Sequence, residues 1–444
     1  MIQRREFLKA GAAAAAAAVL EPSRLLAAVA RNTPPFPDLS TWAGVRAQFN
    51  LSPDQLHFGS FLLVSHPKPV RDAIEGYRRA IDAEPGLVVE RRMFGAPPDN
   101  IQLKMREEMC GYLGAQPDEI AITGNTTTGL ALVYSGLRLA PGDEILTSVH
   151  DHYSHHESIR FAAEKTGASV RRVALYKDAA KITRAEVAEA LRAEIRRETR
   201  VVGLTWVHSS TGVRLPITAL AQVVADANAT RPEAERMLFV VDGAHGFGAV
   251  DESVSALGCD FFCAGTHKWM MAPRGTGLVW AKATNWLRLR PTIPSFSNQE
   301  AYDAWLAGNT GPRPTTALDV TPGGFHAYEH QWAMTAAFRF QEAIGRARVA
   351  RRIAELNTRL KRGLAAIPRV RVITPLDASL SAGITCFEVA GQTPEQVIAK
   401  LLERGIVGSP SPYLPSYARL APSILNTPGE VDRALAEVKK LAAA

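Results

Sequence analysis

The stretch LFVVDGAHGFGAV (238–250), with CDFFCAGTHKWMMAPRGTGLVWAK (259–282) behind it, decides the fold. Four apolar, β-prone residues, Leu238 to Val241, stop abruptly at Asp242. A run this short that ends on a polar residue reads as a strand buried on both faces of a sheet. A second run, Phe261 to Ala264, ends the same way and hands on to Gly265, Thr266, His267 and Lys268. In α/β sheets the carboxyl ends of the strands open into the crevice where ligands sit. Two strands therefore bring a carboxylate and an amine to one edge of one sheet.

A lone Asp at a strand end is commonly a turn former, and a lone Lys a solvated surface charge. Here Lys268 stands in Thr-His-Lys and is followed by Trp269, Met270 and Met271, which is not a surface context. A lysine for a Schiff base and an acid for a pyridinium nitrogen are the pair that pyridoxal phosphate (PLP) chemistry requires. DGAH, then THKW, then RGTGLVW resembles the PLP site of class-V aminotransferases, the group that includes cysteine desulfurases and isopenicillin N epimerase. The resemblance runs from about Leu56 to Ala436. It implies the fold type I of PLP-dependent transferases: an α/β large domain with a mostly parallel seven-stranded sheet, and a small α+β C-terminal domain. The expected division is a signal at 1–30, an N-terminal arm at 31–68, the large PLP-binding domain at 69–325 and the small domain at 326–444. It further implies that Lys268 holds the cofactor as an internal aldimine and that Asp242 faces its ring nitrogen.

Other segments take their place around that pair. In AITGNTTTGLALVYSGL (121–137) a short strand ends at Gly124, and Asn125, Thr126 and Thr127 open a helix. Free N–H groups and hydroxyls at a helix start make a phosphate cradle, although a simple cap needs only one of these residues. The resemblance places the cofactor phosphate at this turn. Four histidines follow the next strand: His150, His152, His155 and His156. His150 and His152 would share one face of a strand, an acceptable metal-ligand spacing, but no acid or thiol cluster elsewhere completes a metal site. The resemblance instead makes Asp151-His152 an acid–His pair whose ring stacks on the cofactor, with His150 as the fallback.

Ser209 stands where the family often has an Asn touching the cofactor's phenolic oxygen, and His245 is a second candidate for that oxygen. Thr266 and His267 are expected at the phosphate. Ser60 and Phe61 are weaker candidates to line the substrate pocket. Near the end, YARLAPSILNTPGEVDRAL (417–435) resembles the family's carboxyl-terminal pattern, an Arg ahead of a strand that ends in Asn-Thr. It maps Arg419 onto the residue that grips the substrate α-carboxylate through a bidentate fork. A structural ion pair is the competing account of that arginine. Residues 285–325 read as a loop region covering the site. They lack the Gly-Thr pair that reaches a partner subunit's phosphate in many relatives, although a homodimer is still expected.

Residues 1–30 begin on basic residues, run through an Ala-rich apolar stretch and end in Ala28-Val29-Ala30, the pattern of an export signal. Arg4 and Arg5, followed by Glu6, Phe7, Leu8 and Lys9, resemble the twin-arginine signal, with Gln3 where Ser or Thr is usual. That machinery moves folded proteins, which suits an enzyme that must load a cofactor before it leaves for the periplasm. No later run is long enough to span a bilayer. The net charge of +7 over 444 residues comes without a basic stripe interleaved with aromatics, so nucleic acid is not expected as a partner. The four cysteines show no framework spacing and read as buried thiols.

The expected activity is at the α-carbon of a small-molecule amino acid, aminotransferase-like or isopenicillin-N-epimerase-like. A PLP-dependent β/γ-lyase is the alternative. Cysteine desulfuration is disfavoured because the family's cysteine loop corresponds to Gly405–Tyr417 (GIVGSPSPYLPSY), which has no cysteine. A non-catalytic exported binding protein on the same fold is the reading from another class. A nicotinamide dehydrogenase lacks its GxGxxG after an early strand.

Overall fold

The computed structural model describes residues 38–96, 98–309 and 311–443, so the export signal and the start of the arm lie outside the described residues. The short apolar runs become strands: β1 (Leu56–His57), β2 (Ile120–Thr123), β3 (Glu144–Ser148), β4 (Ser169–Val173), β5 (Thr199–Thr205), β6 (Leu238–Asp242), β7 (Phe261–Gly265) and β8 (Gly277–Ala281). All but β1 form one seven-stranded sheet in the order β2-β8-β7-β6-β5-β3-β4. The pairings from β7 through β4 are parallel, and β8 runs antiparallel to both of its neighbours. Strands β6, β7 and β8 are buried along their whole length, which is why they read as unbroken apolar runs.

Helices Thr126–Gly136, Tyr153–Thr166, Arg184–Glu194 and Ile217–Asn228 connect the strands. Each begins where a polar cap or a proline stands in the sequence: Asn125, His152, Thr183 and Pro216. The two sheet edges are protected differently. Edge strand β4 presents mostly exposed residues, Arg172 among them, which discourage a further strand from pairing. On β2, the Ile122 N–H donates to Thr321 Oγ1 at 3.1 Å. Residues 285–325, expected as a loop over the site, contain helices Gln299–Leu306 and Ala317–Val320 instead. Ala317 and Val320 pack with Ala121 and Leu137, so part of this segment closes a sheet edge.

The C-terminal third holds β9 (Val370–Val372), β10 (Thr385–Val389), β11 (Ile406–Val407), β12 (Ser409–Pro410) and β13 (Ala418–Leu420). Four of these form an antiparallel sheet in the order β12-β13-β10-β9. Helices Arg346–Ala365, Pro394–Leu402 and Pro428–Ala443 bury Leu360, Leu364, Leu401, Val431 and Val438 in one cluster with Phe387 of β10. The segment read as an arm is tied to this part, since β1 pairs in parallel with β11, Leu56 opposite Ile406. Arg419 lies inside β13, and residues 421–427 are not a strand. The carboxyl-terminal pattern put the arginine ahead of a strand ending in Asn-Thr, whereas the arginine lies within the strand and the Asn-Thr lies beyond it. Three residues are too few for a hydropathy pattern to locate.

Candidate active site

Strands β6 and β7 pair in parallel, with Asp242 opposite Cys263, so their carboxyl ends meet at one edge. Asp242 is buried and accepts a hydrogen bond from the Ala244 N–H at 2.9 Å. The turn that follows is built on close approach. A Cβ on Gly243 would lie 2.1 Å from Phe262 Cζ, and one on Gly246 would lie 2.1 Å from Trp206. This tight turn holds His245 in the interior, with its Nε2 3.3 Å from Lys268 Nζ.

Lys268 is presented by a loop pinned at both ends. Thr266 N–H donates to Thr276 O and Ala272 N–H to Thr266 O, both at 3.0 Å, and Met271 N–H donates to Lys268 O at 3.0 Å. Met271 adopts φ 59, in the left-handed region. Such a conformation costs a non-glycine residue about 1–3 kcal/mol and persists only where surrounding structure holds it. Burial pushes the Lys268 amine down to about 8, Asp242 works against that shift, and Arg419 adds to it. His245 is driven well below the ordinary histidine range, first by burial and then by the charges of Lys268 and Arg419. It is therefore a neutral ring beside the amine.

At the candidate phosphate turn, Asn125 Oδ1 accepts from Thr128 N–H at 2.8 Å and from its hydroxyl at 3.1 Å. Thr126 Oγ1 accepts from Gly265 N–H at 2.6 Å, which locks this helix start to the end of β7, while Thr127 is exposed. His267 lies against the same spot, for a Cβ on Gly265 would sit 2.8 Å from its Cε1 and 3.3 Å from Thr126 Oγ1. Thr266 differs from the expectation. It is fully buried, and its hydroxyl meets that of Thr276 at 2.5 Å, so its side chain serves the loop itself.

The histidine segment is not a strand. Strand β3 ends at Ser148, so His150 and His152 do not share a strand face. His150 turns inward and stacks on Tyr176, with ring centroids 3.9 Å apart and planes 3° from parallel. His152 caps helix Tyr153–Thr166 and stays near the lysine edge. Burial lowers its pKa first, Asp242 opposes the shift and Lys268 reinforces it. Of the two rings, His152 is the one placed at the edge. Its neighbour Asp151 is buried and accepts from Thr147 Oγ1 (2.8 Å), Ser148 N–H (2.9 Å) and Thr205 N–H (2.8 Å), tying β3 to β5. Among the described residues, no group of three or more His, Cys, Asp or Glu could hold a metal ion.

A second wall comes from the C-terminal sheet. Arg419 is 3% exposed, and its Nη1 donates to Ser209 O at 2.9 Å and its Nη2 to Pro410 O at 3.0 Å. Its guanidinium lies over the Phe61 ring, 4.3 Å from the centroid. Among the described residues its partners are carbonyls, a hydroxyl and this ring, with no carboxylate, so no ion pair there accounts for this arginine. A buried cation without a countercharge is costly, and among the described residues Arg419 Nε has no hydrogen-bond partner. Ser60, by contrast, gives its hydroxyl to Ser423.

Ser209 Oγ lies 2.6 Å from the hydroxyl of Tyr413. Sequence reasoning overlooked Tyr413. The loop Gly405–Tyr417 was read only for the cysteine it lacks, and a single polar aromatic between two prolines and a leucine carries no periodic signal.

The model of the family described as Aminotransferase class-V matches residues 66–409, and that of the TAT (twin-arginine translocation) pathway signal sequence matches residues 1–20. The isopenicillin N epimerase of Amycolatopsis lactamdurans is 28% identical over 417 residues, which is 90% of this chain and 99% of the relative. That of Streptomyces clavuligerus is 26% identical over 412 residues, 89% and 97% of the two chains. An apo cysteine desulfurase from Thermococcus onnurineus NA1 has TM-score 0.75 at 22% identity, covering 90% of this chain and 97% of its own. A lysine-to-alanine variant of C-DES, with glycine covalently linked to its PLP cofactor, has TM-score 0.75 at 21% identity and covers 89% and 98%. At these identities the two structures bear on fold alone, and the fold they share with this chain is the α/β one expected from the strand pattern.

Proposed function

The chain belongs to the class-V aminotransferase family, and from that premise we propose that it is a PLP enzyme acting at the α-carbon of an amino acid, isopenicillin-N-epimerase-like or aminotransferase-like. The observation that carries the reading is the convergence of Lys268, His245 and Asp242 at one sheet edge, with Arg419, which has no carboxylate partner among the described residues, close enough to depress the lysine. The site residues suit the cofactor. His245 and His267 each have a buried Nδ1 without a partner, and the helix start at Asn125 offers first-turn amides that no helical carbonyl can reach. When bound, PLP would supply an electron sink for a carbanion at the α-carbon.

The roles of the chain's own residues follow from their surroundings. Asp242, an acid at the strand end, would hold a proton on a ring nitrogen. The Asn125–Thr127 turn, with His267, would hold the phosphate, and His152 would fix the ring plane. Arg419, uncompensated by any recorded carboxylate, would take the substrate carboxylate, which turns a buried cation's cost into binding. Lys268, easily neutral because it is buried, would take the α-proton.

Desulfuration gains no support from the cysteines, and burial raises the half-buried Cys110 thiol. Cys386 lies opposite Arg419 in the β10–β13 register, yet it is fully buried, and burial pushes its thiol up to about 12. Burial raises the Cys259 and Cys263 thiols as well. The match at residues 1–20 supports export by the twin-arginine machinery, and the reading includes a periplasmic homodimer. Among the described residues, no helix is long and apolar enough to cross a membrane.

The test is chemical. Borohydride reduction of the PLP-loaded chain, followed by peptide mapping, should leave the cofactor's mass on Lys268. A chain that cannot be loaded, or whose adduct maps elsewhere, overturns the reading.

A further inference from the structure

The loop from Ser411 to Tyr417 sends one polar side chain inward and turns its tip to solvent. Its neck is closed by three hydrogen bonds: Ser411 N–H to Tyr417 O (2.8 Å), Tyr417 N–H to Ser411 Oγ (3.0 Å) and Ser416 hydroxyl to Ser411 O (2.7 Å). Pro412, Leu414 and Pro415 are exposed, Leu414 completely. Tyr413 points the other way. Its hydroxyl lies 2.6 Å from Ser209 Oγ, and its ring meets His152 edge-on with centroids 6.2 Å apart. The carbonyl of the same Ser209 receives Arg419, whose other terminal nitrogen returns to Pro410 at the start of the loop. A phenol is thus held between the ring of His152 and the anchor for a substrate carboxylate. It stands on a chain segment remote from the one that carries Lys268.

We infer that Tyr413 is a second proton-handling catalytic residue, donating to the substrate α-carbon from the C-terminal wall while Lys268 accepts from the sheet wall. The inference rests on the proposed function and commits it to epimerisation. The Lys268 lone pair takes the α-proton as the Cα–H bond breaks. The electron pair left at the carbon takes the proton of the Tyr413 hydroxyl, forming a new Cα–H bond with inverted configuration. A phenolate and an ammonium remain, and one proton passed from the ammonium through solvent to the phenolate restores both. The two groups are tuned in opposite senses. Burial pushes the Tyr413 hydroxyl up to about 12 against smaller opposing pulls from Ser209 and Arg419, whereas burial pushes Lys268 down to about 8. A phenol so placed stays protonated and can give, and an amine so placed is readily neutral and can take.

Tyr413→Phe removes one oxygen and keeps the ring, so the variant should fold and load PLP on Lys268. The PLP-loaded full chains are incubated in deuterium oxide with the L and D enantiomers of alanine, glutamate and 2-aminoadipate. Proton NMR reads α-exchange, and chiral chromatography reads configuration. The expected result is that wild type exchanges and inverts both enantiomers, while Tyr413→Phe keeps exchange with retention for the enantiomer whose α-hydrogen faces Lys268, loses exchange of the other, and loses inversion by at least about 100-fold. Undiminished inversion in the variant overturns the inference, as does equal loss of exchange and inversion with both enantiomers, or exchange without inversion in wild type. Wild type that exchanges none of the probes overturns the proposed function itself, before any variant is compared. The unloaded protein gives a separate readout. The ultraviolet difference titration of wild type minus Tyr413→Phe should show a phenol still protonated at the pH where free tyrosine is half ionised. A phenol that ionises there like free tyrosine overturns the donor role.

Discussion

The two walls of the site are built on different terms. The sheet wall carries Asp242, His245 and Lys268 within one stretch of sequence, on adjacent strands whose backbones bond directly. The C-terminal wall carries Phe61 on one segment and Tyr413 and Arg419 on another, and it meets the sheet wall through Ser209. The sheet wall sets its lysine beside a neutral histidine. The C-terminal wall holds a buried cation with no carboxylate partner among the described residues. The contrast teaches a division of labour: one wall tunes a reactive amine, and the other waits for an anion. Changes to the first should alter turnover; in the second, changes to Arg419 should alter recognition, while Tyr413 is placed to give a proton and its loss should alter turnover as well.

The strongest way to break that contrast is Lys268→Ala. Turnover should fall by more than the roughly 10⁴-fold that positioned acid–base groups supply, and borohydride should no longer fix the cofactor at this position. Residual turnover at a tenth of wild type would remove Lys268 from the chemistry. Arg419→Lys should act in the opposite sense. A bidentate fork becomes a point charge, so KM for an amino acid should rise by about 10- to 100-fold, as expected for loss of a charge-assisted hydrogen bond, with kcat changed less. An equal fall in kcat with unchanged KM would erase the distinction between the walls.

A gentler probe is pH. The folded-state pKa of Lys268 is pushed down to about 8 from 10.5, so its neutral fraction grows as pH rises through 8. The rate at which unloaded protein takes up PLP, followed by absorbance, should climb by about tenfold from pH 7 and then level off. The same shift has a stability sign. The folded chain binds fewer protons at Lys268 than the unfolded chain between about 8 and 10.5, so this group costs stability below 8. That cost is relieved as pH rises through the window. A PLP-uptake rate still climbing steeply at pH 10 would show an amine that burial does not perturb.

The smallest effect is expected at the tie between the phosphate turn and β7. Thr126→Val removes the acceptor of the Gly265 N–H. It should cost about 1 kcal/mol of stability, seen as a modest drop in Tm. No change in Tm would mean that the turn and the strand are not coupled through this bond.

Much of the sheet wall was legible in the sequence because its signals are local. A buried strand is a short apolar run, and the polar residues that follow it inherit its position at the sheet edge. Asn125, Thr126, Asp242, His245 and Lys268 were all singled out in this way, with the family resemblance suggesting their roles. The histidine loop was legible only in part. Sequence spacing could not show that β3 ends at Ser148, nor that His150 turns in to stack on Tyr176 while His152 stays at the edge. Thr266 carried the right residue type in the right tripeptide, yet its hydroxyl is spent on Thr276 across a loop whose closure no local pattern announces.

The sequence by itself determined the apolar strands that end at the site, the carboxylate and the amine at neighbouring strand ends, and the absence of a cysteine from the loop before Arg419. These follow from hydrophobic run length and residue identity, which act over a few positions. Only the tertiary structure decided that Arg419 is left without a recorded carboxylate partner, that Phe61 lies beneath it and that Tyr413 reaches Ser209 across 204 positions of chain. Burial and pairing depend on which surfaces meet, and chain separation in sequence places no limit on that.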